Sequence, residues 1–350
     1  MIIKFGVNLK TKTVIITEIT KKSDVENIFQ KVLEKFDLDQ IEGMNIVIKP
    51  NLCRPMSPET GATTDTYLVE LLIKELIKRK PRKIIIIESD TYYRTADECF
   101  ERMGYLELKE KYNIELINIS KDENYYVKMP FLNENILFPR VLIECDYFIS
   151  FAKLKTYVPV HQITLCLKNL WGCYPVKLKA SKHPFIKEIT AGLVQLVKPD
   201  LCIVDGIIGM EGPGPIDGTP KKMNILAFGN DALATDIICA KIMGFNPIKI
   251  PMIKFLLRKR RKEIKKIKTN IKLINKIKSN FIINYLPFQI YFYRIGFRLQ
   301  RIGKNFNDFG RKIFFFNIYE YILYNLPKIL DPIINRFKSI IKKSLFELDE

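Results

Sequence analysis

Lysines at the ends of apolar runs are the first candidates for chemistry in this chain. Lys49 ends the run MNIVIK, Lys153 and Lys155 lie within ISFAKLKTY, and Lys168 follows the run ITLCL. An ammonium group beside an apolar strand is unfavourable unless it meets an anion, a carboxylate or water. The pattern predicts a site for an anionic small molecule, where a desolvated lysine could act as a base or nucleophile. The alternative is that these side chains extend outward and keep their charges in water.

Carboxylates follow another predicted strand, LCIV, and could share that site. Asp205 comes directly after this strand, and the stretch VDGIIGMEGPGPIDGTP also carries Glu211 and Asp217. Carboxylates on a Gly- and Pro-rich stretch could move protons or bind a divalent cation. Gly212 and Gly214 would let the backbone approach a ligand closely. We take Asp205 and Glu211 as catalytic candidates and the two glycines as ligand-binding candidates; the alternative is a long surface loop.

A proline-rich stretch, KPNLCRPMSPETGATTD at 49–65, leads into a predicted helix. Thr63 and Thr64 stand where free backbone N–H groups gather at the start of that helix. Such a helix start attracts phosphate or carboxylate groups, and Lys49 could supply a counter-charge. The stretch is not a Walker loop, because GxxxxGK[ST] is absent. The alternative is an ordinary connection with a Thr/Asp cap.

The cysteines and histidines give little sign of a metal site. The seven cysteines form no CxxC pair, and several stand in apolar runs, which is typical of free core thiols in a reducing compartment. No metal site is predicted, since zinc and iron–sulfur clusters need several convergent ligands. No cofactor can be named from these residues. His161 lies between the lysines, whereas His183 is predicted to be a surface or loop residue.

The elements that must position these residues alternate between strand and helix. Strands are predicted at 44–48, 83–87, 114–119, 201–204 and 224–228, a β-rich passage at 125–151, and helices at 67–80, 95–112, 185–196 and 232–243. This order predicts an α/β fold with a mostly parallel sheet covered by helices on both faces. Ligands bind such sheets at the carboxyl ends of the strands. We therefore expect Lys49, Lys153, Lys168, Asp205 and Glu211 to converge on one cleft. Asp231 is predicted to cap the last helix, and Asp236 could face the same cleft.

Charge divides the chain near Phe255. Residues 256–350 hold 22 basic and 7 acidic residues, a net charge of +15 out of +19 for the whole chain. We predict an α/β domain at 1–255 and a basic, aromatic-rich helical extension at 256–350. Within the extension, isoleucines from 264 to 277 recur at three- and four-residue steps, which predicts an amphipathic helix over about 259–278.

Three roles are open for this extension. Its isoleucines could pack on the protein, or it could lie on an anionic membrane surface, or it could bind nucleic acid. The sequence favours a membrane surface over nucleic acid, because no base-reading motif accompanies the charge. The longest uncharged run in this region, Ser279–Tyr293, has 15 residues and contains Pro287. That is short of the roughly 18–20 apolar residues of a membrane-spanning helix. No secretory signal is recognised either, so we expect a cytoplasmic protein that can associate with a membrane at its periphery.

Several ordered motifs together resemble the family known as domain of unknown function 362. The resembling pieces are IKPN at 48–51, GATT at 61–64, KLKT at 153–156, LKNLWG at 167–172, and the stretch from VDG at 204 to MEGPGP ending at 215. The resemblance covers roughly residues 40–250 and adds Asn51 and Asn169 to the ligand-binding candidates. More loosely, the motif order is similar to the N-terminal half of nickel-pincer lactate racemases, a likeness of layout that implies no nickel site.

The resemblance implies kinship more than chemistry, because the family has no settled activity. Some relatives carry a ferredoxin-like cysteine cluster, which implies a redox partner, but this chain lacks that domain. The family commonly has Lys-Thr-His where this chain has Lys155-Thr156-Tyr157, so a role for an imidazole there would fall to His161 or to Tyr157 in its place.

Three classes of function remain. The first is an enzyme, or an enzyme-like protein, acting on an anionic small molecule. The second is a ligand-binding or redox-accessory module without catalysis, and the third is surface binding through the extension.

Overall fold

A computed structural model gives the fold of the chain. The structure describes residues 11–36, 38–91, 94–132, 134–157, 162–175, 179–259 and 266–283. His161 and most of the basic extension therefore lie outside the described residues.

A nine-stranded sheet forms the centre of the described structure. Its strands are β1 Thr13–Glu18, β2 Asn45–Pro50, β3 Lys83–Glu88, β4 Glu115–Asn118, β7 Tyr147–Tyr157, β8 Gln162–Thr164, β9 Leu201–Glu211, β10 Thr219–Gly229 and β11 Lys268–Thr269. The strand order is β11-β1-β10-β9-β7-β2-β3-β4, with β8 paired to β7. A separate hairpin consists of β5 Asn124–Lys128 and β6 Asn135–Pro139.

Most strand pairs in this sheet are parallel. β9, β7, β2, β3 and β4 run in one direction as successive neighbours, whereas β10 is antiparallel to both β9 and β1. Almost every residue of β2, β3 and β7 is buried, as in a parallel sheet whose two faces are both covered. The predicted α/β fold with a mostly parallel sheet is confirmed.

Helices cover both faces of the sheet. They are α1 Val25–Leu33, α2 Thr66–Ile77, α3 Ala96–Arg102, α4 Tyr105–Tyr112, α5 Arg140–Ile143, α6 Cys166–Asn169, α7 Ile186–Val197, α8 Ala232–Ile242, α9 Pro251–Leu256 and α10 Ile271–Ile277. Side chains of α1 to α4 pack in one core, and those of α6, α7 and α8 pack in two others. The prediction of helices on both faces is confirmed.

Two details differ from the sequence predictions. The strand expected to end before Asp205 continues to Glu211, so only residues 212–218 remain as the loop between β9 and β10. Pairing with β10 supplies hydrogen-bond partners to these backbone groups despite the glycines. The helix expected over 95–112 is divided at Gly104, which adopts a left-handed φ of 78°. The predicted capping box at Thr95 and Glu98 is present.

The start of the basic extension belongs to the same compact unit as the sheet. This unit runs from Met1 to Tyr285, so the boundary predicted near Phe255 falls inside it. Instead of one helix over 259–278, the described residues form β11 and the short α10, with Ile274 buried in the core beside α8. Residues 284–350, for which a helical structure was predicted, lie outside the described residues.

Candidate functional site

Three fully buried lysines lie where β2 and β7 reach the carboxyl edge of the sheet. Lys49, Lys153 and Lys155 are each at most 1% exposed. They share no hydrogen-bond partner among the described residues, although Lys153 and Glu88 are close enough to Lys155 to affect its pKa. One loop, residues 51–65 between β2 and α2, forms a hydrogen bond with each of these lysines or with its carboxylate partner. We call it the covering loop.

Lys49 is neutralised by a carboxylate of the neighbouring strand. Its Nζ lies 2.6 Å from Glu88 Oε2 and donates to the carbonyl of Pro50 at 2.8 Å. The backbone N–H of Leu52, in the covering loop, donates to the same Glu88 oxygen at 3.2 Å. Gly172 packs directly against this pair, because a Cβ added there would lie 2.3 Å from Lys49 Cε. A buried pair with this many contacts is a structural ion pair.

Lys153 is neutralised in the same way by Asp205. The two side chains are 2.7 Å apart and at most 1% exposed. Asp205 also accepts the N–H of Asp65 at 3.0 Å and that of Ile207 at 3.2 Å. Asp65 is the N-cap of α2, so the carboxylate of Asp205 lies at the positive end of this helix, and the anionic ligand predicted there stays a prediction. Asp205 is thus held by three donors within the protein, and its predicted catalytic role stays a prediction.

Lys155 differs from the other two buried lysines because no described carboxylate lies within ion-pair distance of it. Its Nζ donates to Ala62 O at 2.5 Å and to Pro215 O at 3.3 Å, and it lies 3.3 Å from Cys53 Sγ. Burial lowers the pKa of the Lys155 amine below its ordinary value, and the Cys53 sulfur opposes this shift. A buried amine whose charge has no carboxylate partner is the arrangement expected of a reactive or ligand-binding lysine.

Two loops meet at Lys155. Ala62 and Cys53 belong to the covering loop, and Pro215 belongs to the loop at 212–218. Glycines make both approaches possible. A Cβ on Gly61, whose φ is 74°, would lie 2.2 Å from Gly209 O, and one on Gly214 would lie 2.2 Å from Thr156 O.

The remaining candidates of the covering loop maintain its shape. Thr64 Oγ1 donates to Phe151 O at 2.9 Å and accepts the N–H of Asn51 at 3.0 Å. Thr63 Oγ1 donates to Met56 O at 2.9 Å. Both threonines are fully buried, and their hydroxyl groups are used within the protein. The structure therefore places them as supports of the loop and leaves their predicted ligand contacts untested.

Asn169 connects the covering loop to the two central strands. Its Nδ2 donates to Lys49 O at 2.9 Å and to Ser150 Oγ at 3.2 Å, and its Oδ1 accepts from Asn51 Nδ2 at 3.2 Å. Among the described residues, Asn51 Oδ1 is buried and has no hydrogen-bond partner. The two asparagines were singled out through the family resemblance, and they do lie in contact.

Lys168 belongs to a partly exposed cluster of aromatic and basic side chains. Its Nζ lies 4.9 Å from the ring centre of Tyr157 and 5.7 Å from that of Trp171, so it makes cation–π contacts with both. His183 stacks on Trp171 with ring centres 5.5 Å apart, and its Nε2 lies 3.4 Å from the Tyr157 hydroxyl. We call these four residues the aromatic cluster.

The sequence analysis assigned His183 to the surface or a loop, whereas the structure brings its half-buried imidazole to Tyr157. The family resemblance implies an imidazole at position 157, where this chain has tyrosine. In the fold, the imidazole of His183 lies beside Tyr157, although the two residues belong to different segments of the chain. Sequence spacing carries no sign of this, since 26 positions separate the two residues. The same holds for Cys53, which spacing grouped with the core thiols although it is only partly buried.

A buried carboxylate fixes the helix that carries Lys168 and Asn169. Asp236 accepts the backbone N–H of Cys166 at 2.9 Å and that of Leu167 at 3.1 Å, the first two residues of α6. Burial raises the pKa of Asp236 well above its ordinary value, and these two hydrogen bonds oppose the shift. Asp236 acts on the start of α6 from within the core; it does not face an open cleft. Asp231 caps α8 as predicted, accepting from Ala234 N at 2.7 Å.

Glu211 contacts none of the candidate lysines. It pairs with Lys221 at 2.6 Å and accepts the N–H of Ile282 at 3.1 Å, so it ties β10 and the C-terminal segment to the end of β9. The N–H of Gly212 donates to Ile282 O at 2.8 Å in the same connection. The catalytic role predicted for Glu211 stays a prediction. Among the described residues, no three His, Cys, Asp or Glu side chains are grouped as metal ligands would be.

The fold and this edge define an α/β protein with buried lysines under two glycine-containing loops. The chain belongs to the family described as domain of unknown function (DUF362), whose model matches residues 46–241, more than half of the chain. The matched span includes every candidate discussed above, and the family resemblance read from the motifs is confirmed.

Individual relatives are distant. A thylakoid-associated protein of Synechocystis is 27% identical over 216 residues, which are 60% of this chain and 66% of that protein, slightly less than two thirds of its length. The lactate racemase apoprotein of Thermoanaerobacterium thermosaccharolyticum is 13% identical, with a TM-score of 0.43 over 66% of this chain and 57% of that one. A protein of Thermotoga maritima is 12% identical, with a TM-score of 0.33 over 58% and 54%.

Proposed function

We propose that this protein is an enzyme, or an enzyme-like protein, that acts on an anionic small molecule at the end of β7. The observation that carries the proposal is Lys155, a fully buried amine with no described carboxylate beside it. Lys49 and Lys153 are already neutralised by Glu88 and Asp205, so neither is the cation that awaits a ligand.

The aromatic cluster supports the same location. Tyr157 is two residues beyond Lys155 on β7, which puts the two Cα atoms roughly 6.6 Å apart in an extended strand. Lys168 and His183 contact Tyr157 and are partly exposed, so a ligand near Lys155 would also have an ammonium and an imidazole within reach. In this proposal Lys155 and Lys168 hold the anion, and His183 together with Tyr157 exchanges a proton with it.

Thermal unfolding with added anions tests the proposal. Phosphate and pyruvate are the probes, and a ligand present at 100 times its dissociation constant stabilises a protein by about 2.7 kcal/mol. We expect at least one of them to raise the Tm of the wild type, and Lys155→Met to lose that rise. Lys83→Met is the matched control, since Lys83 lies in an exposed pair with Glu115 and should leave the rise unchanged. An equal rise in Lys155→Met, or no rise with either anion, would contradict the proposal.

A turnover measurement separates an enzyme from a binding or redox-accessory module. After incubation with an anion that stabilises the protein, mass spectrometry of the small molecule should show a changed product for an enzyme. Recovery of the unchanged anion would favour the module. Loss of turnover in His183→Gln, with binding retained, would support the proton-transfer role.

Peripheral membrane binding is a second candidate function, through the basic extension. The net charge of +15 on residues 256–350 favours contact with anionic lipids, and one relative is named as thylakoid-associated. None of the described helices is long and apolar enough to cross a membrane. Full-length protein should sediment with anionic vesicles at low salt and less so at high salt. A chain ending at Tyr285 keeps a net charge of +10 on residues 256–285 but loses the aromatic-rich residues 286–350, so it should sediment more weakly. Failure of the full-length protein to sediment with anionic vesicles would contradict this role, and equal sedimentation of the two chains would exclude a contribution from residues 286–350.

A further inference from the structure

A cavity lies between α8 and the C-terminal segment, away from the lysines under the covering loop. Its volume is about 200 Å³, and its apolar lining comes from Ile238 and Phe245 on one side and from Ile271 and Ile274 of α10 on the other. Ile238 and Ile274 are buried in the core, whereas Ile271 is 61% exposed at the rim. The cavity therefore has an apolar floor and is open to solvent.

Specific hydrogen bonds hold the walls of this cavity in place. Asn270 bridges β1 by accepting the N–H of Ile16 at 3.0 Å and donating to Ile16 O at 2.7 Å. Beyond α10, Ser279 N donates to Ile242 O at 2.7 Å and Phe281 N donates to Met243 O at 2.9 Å. Because α10 is attached at both of its ends, the cavity is part of the folded structure.

The cavity also has a basic rim. Lys241 of α8 and Lys278 just beyond α10 both line it, and neither has an ion-pair partner among the described residues. The neighbouring Lys276, which does not line it, is already paired with Glu18 at 2.7 Å. Two ammonium groups beside an apolar floor are complementary to an anion with an apolar body.

Thr269 is a polar residue in the wall of the cavity. It lines the cavity, and its Oγ1 is buried with no hydrogen-bond partner among the described residues. A buried hydroxyl left unpaired is unfavourable by about 1–3 kcal/mol, so such groups usually have a partner. Because this oxygen is closed to solvent, the inference below rests on the apolar floor and the two lysines and not on Thr269.

We propose that this cavity binds a medium-chain alkyl carboxylate. The alkyl chain would lie against Ile238, Phe245 and Ile274, and the carboxylate would meet Lys241 and Lys278. An apolar cavity of about 150 Å³ holds benzene, and drug-sized ligands occupy roughly 300–1,000 Å³, so a ligand of intermediate size fits. The site is separate from the proposed anion site at Lys155, and neither depends on the other.

Calorimetric titration of the full-length protein with octanoate tests this inference. We expect saturable binding of octanoate, with octanol, acetate and inorganic phosphate each binding at least tenfold more weakly. The double variant Lys241→Met/Lys278→Met should weaken octanoate binding at least tenfold, because it removes both charged contacts. The matched control is Lys249→Met/Lys254→Met, two exposed lysines outside the cavity, which should bind as the wild type does.

Each other outcome overturns the inference in a recognisable way. Equal binding of octanol would mean that only the apolar floor matters, and equal binding of acetate or phosphate would mean that only the charges matter. No saturable octanoate binding, or unchanged binding in the Lys241→Met/Lys278→Met variant, would remove the site. Thermal unfolding of each variant shows that the fold is intact, which is expected since these lysines are exposed.

Discussion

Three lysines with the same burial have different electrostatic surroundings. Lys49 and Lys153 each face a carboxylate, whereas Lys155 faces two backbone carbonyls and a sulfur atom. Two opposite charges can be buried together because each neutralises the other, but removal of one partner leaves an isolated buried charge, which is strongly destabilising. Substitutions at these positions should therefore have different effects on stability.

Lys153→Met should be far more destabilising than Lys155→Met. The first change leaves Asp205 buried without its cation, a situation that typically lowers the free energy of unfolding by about 3–5 kcal/mol. The second removes a desolvated charge and leaves no described carboxylate alone, so its effect should be smaller by at least about 2 kcal/mol. Urea denaturation of the two variants and the wild type measures this difference. Equal losses would mean that Lys155 also neutralises a charge.

The buried carboxylate of Asp236 gives the stability a pH dependence of predictable sign. Because its pKa is raised in the folded protein, the folded state binds a proton more readily than the unfolded state does. Stability from this group is therefore greatest at low pH and falls as the pH rises above the unfolded value of about 3.9.

Comparison with Asp236→Asn isolates this effect. The variant has no titrating group there, so the Tm of the wild type minus that of the variant should decrease as the pH rises from about 4 upward. Thermal unfolding of both proteins at a series of pH values measures it. A constant or increasing difference would show that the carboxyl group is not held with a raised pKa.

At the scale of elements, the covering loop depends on a close approach that only glycine permits. Gly61 has a φ of 74°, and a Cβ there would lie 2.2 Å from the backbone oxygen of Gly209. Gly43 has a nearly identical φ of 71°, but a Cβ added at Gly43 would have no neighbouring atom within 4 Å. Substitutions at Gly61 and Gly43 therefore distinguish the cost of backbone strain, which both positions share, from the cost of steric overlap, which only Gly61 has.

Gly61→Ala should lower the stability more than Gly43→Ala does. The control change should cost about 1–2 kcal/mol, the usual penalty of a left-handed conformation for an L-residue. Gly61→Ala should exceed this because backbone atoms of β9 must also move. Denaturant unfolding measures both, and anion-induced stabilisation should be lost only in Gly61→Ala, whose loop contacts Lys155. Equal losses of stability would contradict the close packing of the loop on β9.

At the scale of the whole molecule, the segment that follows Phe255 completes the core beside α8. Ile274 and Phe281 are buried there, and β11 extends the sheet at β1. A chain shortened at Phe255 would lose these contacts, so a shortened chain used to test the basic extension should end no earlier than Tyr285 and removes only residues 286–350.

Ile274→Ala and Ile271→Ala test this role of the segment. Ile274 is 4% exposed, and large-to-small changes at such positions typically cost about 2–5 kcal/mol. Ile271 is 61% exposed and should cost less than about 1 kcal/mol. A similar and small effect of both changes on the unfolding free energy would show that α10 is not part of the core.

The sequence by itself determined the fold class, the family and most of the elements. Apolar runs, the Thr95 capping box and the Asp231 cap are local signals, and they indicated strands and helix starts that the structure confirms. The motifs that identified the family are also contiguous stretches. Each of these features depends on neighbours in sequence, which is why periodicity and spacing reveal them.

Tertiary structure alone decided which candidate charges meet. Lys49 and Glu88 are 39 positions apart and Lys153 and Asp205 are 52 apart, so no spacing rule could pair them and show that Lys155 lacks a carboxylate partner among the described residues. The same limit hid the proximity of Cys53 to Lys155 and of His183 to Tyr157. Charges interact through space with a strength set by distance and burial, and strand order fixes both quantities only when the sheet assembles.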